Sequence, residues 1–212
     1  MPNKHLEHPE DTVLLSRRKC YQVVCTLMQE NIPLGIKWDG APAIVFGTDP
    51  RNNKFFVGTK SVFNKKRVKI CYSYEDIDEN YKGELVNILR LCFRHLPRIG
   101  GIVQGDYIGV SGGTRYTPNT LEYIFSTATS GNIVFAPHTC YTEVSPDAVP
   151  TFGCVLSGET GTHMVGPNEG SAFIQKSKKR FNWAKFIYNL ARAQRPSKKY
   201  YAEILKHVNK WV

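Results

Sequence analysis

Between residues 34 and 63 the apolar pattern breaks into three short β-like runs, LGIKW, APAIVFG and KFFVGTKSVF. Asp39-Gly40 separates the first two, and Asp49-Pro50-Arg51-Asn52-Asn53 separates the last two. Both are turn chemistry: Asp and Asn bond their own backbone, while Gly and Pro supply the dihedrals a reversal needs. Short runs so punctuated predict an antiparallel meander.

Helical periodicity flanks this stretch. Val13, Leu14, Tyr21, Val24, Cys25 and Met28 predict a helix over 11–30, capped by Asp11 or Thr12 and ended by Asn31 and Pro33. Leu85, Ile88, Leu89, Cys92 and Leu96 form an apolar stripe over 83–96, stopped by Pro97, whose face should cover a sheet. Further strands are expected at 101–110, 121–125, 132–141 and 152–156, joined by Gly-, Pro- and Ser-rich loops. The predicted class is therefore α+β, with antiparallel sheets flanked by helices. From Trp183, through Phe186, Ile187 and Leu190, helical spacing returns; Pro196 interrupts it, and Tyr201, Ile204, Leu205 and Val208 resume it.

Charge divides the chain more sharply than hydropathy does. Residues 1–171 carry 17 Lys and Arg against 17 Asp and Glu, whereas residues 172–212 carry 11 against Glu203 alone, so the whole formal +10 sits in the tail. A body of 1–171 and a basic helical tail of 172–212 follow, and a basic segment on a neutral body points to nucleic acid, polyphosphate or an acidic protein. With 212 residues, one or two domains need no disulfide staples. The six cysteines form no Cys-x-x-Cys pair and are expected to be reduced core filling. No run nears the roughly 20 apolar residues of a membrane span, and MPNKHLEHPED lacks the apolar stretch of a signal peptide. A soluble, cytoplasmic protein without a membrane partner is expected; oligomeric state is not legible.

Lys37-Trp38-Asp39-Gly40 is the tetrapeptide with the most chemistry. On a strand, Lys37 and Asp39 share one face, Trp38 takes the other, and Gly40 lets the chain turn away beside a ligand. A lysine so placed either is a nucleophile, once deprotonated, or simply precedes an Asp-Gly hairpin turn.

Followed by an apolar strand, Lys-x-Asp-Gly resembles motif I of the covalent nucleotidyltransferases, the superfamily of ATP-dependent DNA ligases, RNA ligases and messenger-RNA capping enzymes. Val103-Gln104-Gly105-Asp106-Tyr107-Ile108 resembles its motif III, and Ile133-Val134-Phe135-Ala136-Pro137-His138 its motif IIIa. A closer resemblance is to a group of tailed-phage proteins with a ligase-like domain. It rests on Lys37 to Ala43, Lys54 to Val57, Phe63 to Lys65, Gln104 to Asp106, Pro118 to Thr120 and His138 to Thr142, in order over residues 5–145.

The resemblance implies a ligase-like nucleotidyltransferase fold and a lysyl-nucleotidyl intermediate for nucleic-acid end joining or modification, in a viral or phage protein acting in the host cytoplasm. It implies Lys37 as the nucleophile and ATP, or GTP, as donor, with Mg²⁺ or Mn²⁺. Asp39, Gly40, Asp106, Phe135, Glu169, Lys176 and Lys178 would bind the nucleotide, Phe135 by stacking on the base, and Asp106 and Glu169 would hold the metal. Lys178, Lys179, Arg180, Lys185 and Arg192 would contact DNA or RNA.

Three departures stand out. Pro42 occupies the place of the usual ribose-binding Arg. Glu169-Gly170 is the late candidate for motif IV, and Lys176 and Lys178 follow it sooner than motif V should. Either these motifs are compressed, or the chain is a non-catalytic nucleic-acid-binding or virus-associated protein that retains the fold. Among other features, Glu75, Asp76, Asp78 and Glu79 read as a metal site or a solvated face, and His138 as a phosphate donor or a structural histidine. Lys60, Lys65 and Lys66 read as a path for polyphosphate or as surface solubility.

Overall fold

The computed structural model describes residues 36–153 except Thr120, then 156, 161–166, 169 and the backbone of 171–174, together with Ser16, Arg18 and Gln22. By contacts the chain divides into two units, residues 1–4 with 35–174, and residues 5–34 with 175–212. The helix expected over 11–30 and the basic tail beyond Ile174 lie outside the described residues, apart from helical Arg18 and Gln22.

The first unit is α+β. Its larger sheet has the order β2-β1-β3-β6-β7, formed by β1 (Ala43–Asp49), β2 (Lys54–Gly58), β3 (Ile102–Val110), β6 (Ile133–Tyr141) and β7 (Thr151–Phe152). These strands pair antiparallel, and β8 (Thr162–Met164) adds to β6 in parallel. A smaller antiparallel sheet has the order β4-β5-β9, from β4 (Arg115–Tyr116), β5 (Leu121–Ile124) and β9 (Ser171–Ile174). Since β9 pairs with β5, residues 172–174 belong to this sheet.

The hairpin of β1 and β2 forms where the Asp49–Asn53 turn chemistry predicts it, with Asp49 facing Lys54. The run predicted to continue to Phe63 stops at Gly58, and a 3₁₀ helix, Lys60–Phe63, follows with Thr59 as its cap. Residues 36–40 are irregular rather than a strand, and Asp39-Gly40 makes no hairpin. Past the cis Ala41-Pro42 bond the chain already runs along β3, the Ala41 amide donating to the Tyr107 carbonyl and Tyr107 to Pro42.

Helix α1 (Tyr74–Asn80) carries the four acids that the sequence reads as a metal site or a solvated face. Ser73 and Asp76 form a capping box, each side chain taking the other's backbone amide, and Asp78 pairs with Arg90, so two of the four acids serve the helix. Helix α2 (Glu84–His95) matches its predicted stripe. It buries Leu89 and Cys92 against one face of the large sheet, where Ile44, Phe46, Val103, Tyr107, Ile133 and Phe135 point.

The opposite face carries two separate apolar clusters. One joins Val45, Phe56, Val62, Ile102 and Val144; the other joins Trp38, Ile108, Tyr116, Tyr123, Phe125, Val134, Ala136 and Val165, and bonds the two sheets. By alternation β3 presents Ile102, Gln104, Asp106 and Ile108 here, so a buried polar pair lies between the clusters. Cys71 and Cys92 are free and buried as expected, and burial lifts the Cys71 thiol to about 11. Cys140 is disulfide-bonded, which corrects the expectation that all six thiols are reduced. Among the described residues no helix is long and apolar enough to cross a membrane.

Candidate functional site

Trp38 fixes the position of the Lys37–Gly40 segment. Its ring is buried, 4.5 Å from Tyr123 and stacked on Phe125 at 5.4 Å, and its Nε1 donates to the Gly166 carbonyl at 2.8 Å. Lys37 and Asp39, on either side of this anchor, remain half-buried.

Both sheets then grip the segment. From the small sheet, the Asp39 amide donates to the Tyr123 hydroxyl at 2.8 Å, while Asn119 Nδ2 donates to the Asp39 carbonyl at 2.6 Å and to its carboxylate at 2.9 Å. Burial, with the charges of Asp39 and Asp106, pushes the Tyr123 phenol up to about 12, so its proton stays in place. From the large sheet, Asp106 Oδ2 accepts the Gly40 amide at 3.3 Å.

Gly40 is required by proximity. A Cβ there would lie 2.4 Å from the Tyr107 carbonyl oxygen and 2.9 Å from the Asp106 Cβ, so only glycine lets the segment lie on β3. Gly105, just before Asp106, has the same kind of reason: a Cβ would meet the Phe135 ring at 2.5 Å.

His138 reaches Asp106 because of a bulge. Gln104 pairs with Thr139 and Gly105 with Pro137, which leaves His138 as the extra residue. Its Nε2 lies 3.8 Å from Asp106 Oδ1, and its Nδ1 is 2.6 Å from Thr139 Oγ1. Lys60, at the start of the 3₁₀ helix, completes the group. Burial draws its pKa down, the charge of Asp106 opposes that shift, and the charge of Lys37 adds to it, so the three charges share one field. The chemistry available is a carboxylate that accepts the Gly40 amide and an imidazole beside it, with the charges of Lys37 and Lys60 acting in the same field.

The structure thus brings together Lys37, Asp39, Gly40 and Asp106. It does not bring in Phe135, whose ring is fully buried on the helix-covered face, edge-on to Phe46 at 5.4 Å. That corrects its expected role as a stacking platform: neighbours on a strand face opposite ways, and Asp106 pairs with Ala136, not Phe135. Glu169 accepts the Gly166 amide at 2.7 Å and lies 3.5 Å from His163 Nε2, so it joins the segment through the Gly166 carbonyl that holds Trp38. Lys176, Lys178, Lys179, Arg180, Lys185 and Arg192 lie outside the described residues. Asn119 and Tyr123 hold the segment without being legible as site residues in the sequence, although Pro118-Asn119-Thr120 carries a signal for the first.

A divalent ion of the Mg²⁺ type takes one or two carboxylates and fills its shell with water and substrate phosphates. Asp106 suits that mode as a single carboxylate. Among the described residues no three His, Cys, Asp or Glu side chains gather as a metal cage.

Fold and site define an α+β domain with a lysine- and carboxylate-bearing polar site where two sheets meet. The chain belongs to a family of unknown function (DUF6267), whose model matches residues 3–211. No curated protein and no solved structure matches it.

Proposed function

We propose that the protein is a ligase-like nucleotidyltransferase in which Lys37 takes a nucleotidyl group from ATP, or GTP, and passes it to a nucleic-acid end. The observation that carries this reading is the seating of the Lys37–Gly40 backbone against Asp106 through the Gly40 amide, with Tyr123 and Asn119 holding Asp39 from the other side. Holding a nucleophile by its backbone limits the freedom it must lose on reaching phosphorus.

In the step proposed, the neutral Lys37 amine attacks the α-phosphorus. The bond from that phosphorus to the bridging oxygen of the β-phosphate breaks, pyrophosphate leaves, and the ammonium proton is lost to a base. An oxygen of the nucleic-acid end then attacks the phosphorus, the new phosphorus–oxygen bond forms as the phosphorus–nitrogen bond breaks, and Lys37 leaves as an amine that takes back a proton. Asp106 balances positive charge beside Lys37 and would hold Mg²⁺ or Mn²⁺, which would neutralise the phosphates when bound. In this reading Lys60 would stabilise the negative charge growing on the phosphate oxygens.

Incubating the protein with α-labelled ATP or GTP and Mg²⁺ or Mn²⁺ tests this. The expected product is an acid-labile label mapping to Lys37 and absent from Lys37→Ala. Label on Lys60 instead, or none on the wild type, would remove the assignment; none together with tight nucleic-acid binding would favour a non-catalytic binding module.

A further inference from the structure

Immediately after the 3₁₀ helix that carries Lys60, the chain presents Lys65, Lys66 and Arg67 in succession, all exposed. Among the described residues none of the three is in an ion pair. Three adjacent cations of one sign with no acid paired to them among the described residues raise the local positive potential, which draws an anionic partner to this stretch. The next cation, Lys69, differs: its Nζ donates to the Asn80 carbonyl at 2.7 Å and lies over the Tyr81 ring.

The excursion is tied at its base. The amides of Asn64 and Lys69 both donate to the Ser61 carbonyl, at 3.2 and 3.4 Å, so the chain leaves and returns at one atom beside Lys60. The Ser61 hydroxyl is held in turn by Tyr81 at 2.8 Å and Thr59 at 2.9 Å. Lys66 is at most three residues from either tie, which keeps its Cα within about 10 Å of the Ser61 carbonyl.

We propose that residues 64–67 form the surface on which the phosphate backbone of a nucleic-acid strand lies as its end approaches Lys37 and Asp106. The contact is to phosphate and carries no sequence preference, since Lys offers a point charge and Arg a fork matched to phosphate oxygens. Only the destination of the strand's end rests on the reading of Lys37 as nucleophile; the binding itself does not.

The test compares the full-length wild type with K65A/K66A/R67A and K65R/K66R, using anisotropy of short fluorescein-labelled DNA and RNA strands across a salt series. Removing three contacts should flatten the plot of log K against log salt by about 2 and weaken low-salt binding by about tenfold or more. K65R/K66R should keep the wild-type slope. Nucleotide labelling of Lys37 without nucleic acid should be equal in all three proteins. An unchanged slope in the triple alanine variant overturns the inference, as does a wild type that binds polyglutamate but neither nucleic acid. If the wild type is never labelled yet the slope falls as expected, the nucleotidyl reading fails and the strand-binding surface stands.

Discussion

Asp106 Oδ2 accepts the backbone amide of Gly40 at 3.3 Å, joining residues 66 apart in sequence. This bond lets β3 set the place of the Lys37 segment, because the acceptor is buried and charged and the donor belongs to a residue without a Cβ. Removing the carboxylate in Asp106→Ala leaves that amide with no acceptor in a largely buried site. Unfolding in urea should show a loss of about 1–3 kcal/mol, and nucleotide labelling of Lys37 should fall at least about tenfold. Labelling unchanged in a folded Asp106→Ala protein would remove Asp106 from the site.

Gly40→Ala should be harsher than an ordinary loop substitution. The new methyl meets the Tyr107 backbone oxygen at 2.4 Å, and backbone cannot rotate aside as a side chain can. A destabilisation of about 1–3 kcal/mol and loss of labelling are expected from thermal melts and adduct assays. A neutral outcome would mean that the segment can lift off β3 without loss.

Phe135→Ala should cost about 3–5 kcal/mol, as for a large aromatic ring removed from a packed core. Phe135→Leu should fold and keep the KM for nucleotide within about twofold of wild type. A marked rise in KM in that variant would restore the stacking role that its burial removes.

Acid should unfold the protein partly through Asp49. Its carboxylate is fully buried, accepts a forked pair of bonds from Arg51 and accepts the Tyr72 hydroxyl at 2.6 Å. The hydrogen bonds from Arg51, chief among these, hold its pKa down at about 2 against an ordinary 3.8. The folded state binds this proton less readily than the unfolded chain does. The stabilisation is therefore complete above about pH 4 and disappears as pH falls through about 2, amounting to about 1–2 kcal/mol once the exposure of Arg51 is allowed for. Urea titrations between these limits should show that slope in the wild type and a shallower one in Asp49→Asn.

Trp38→Phe keeps the stacking on Phe125 but leaves the Gly166 carbonyl without its indole donor. Hydrogen exchange across residues 163–166 should quicken, and stability should drop by about 1–2 kcal/mol. Exchange at the wild-type rate would show that the indole bond does not hold this segment.

Local chemistry settled what the sequence by itself determined. The 3.6-residue spacing of Leu85, Ile88, Leu89 and Cys92 specified α2, and the Asp49–Asn53 turn specified the first hairpin, because each depends on neighbours a few bonds away. The spread of charge along the chain, balanced over 1–171 and basic beyond, needs no fold at all. The same local rules could not see that 36–40 is irregular, since what holds it there is Tyr123, Asn119, Asp106 and the Gly166 carbonyl, all more than 60 residues away. Nor could they decide between the two faces of β6. Motif order placed Phe135 beside the nucleotide, but the pleat turns it to the helices, while a one-residue bulge brings His138 back toward Asp106. Strand register has a period of two, so a single extra residue reverses what faces the site, and only the paired strands fix where that residue falls.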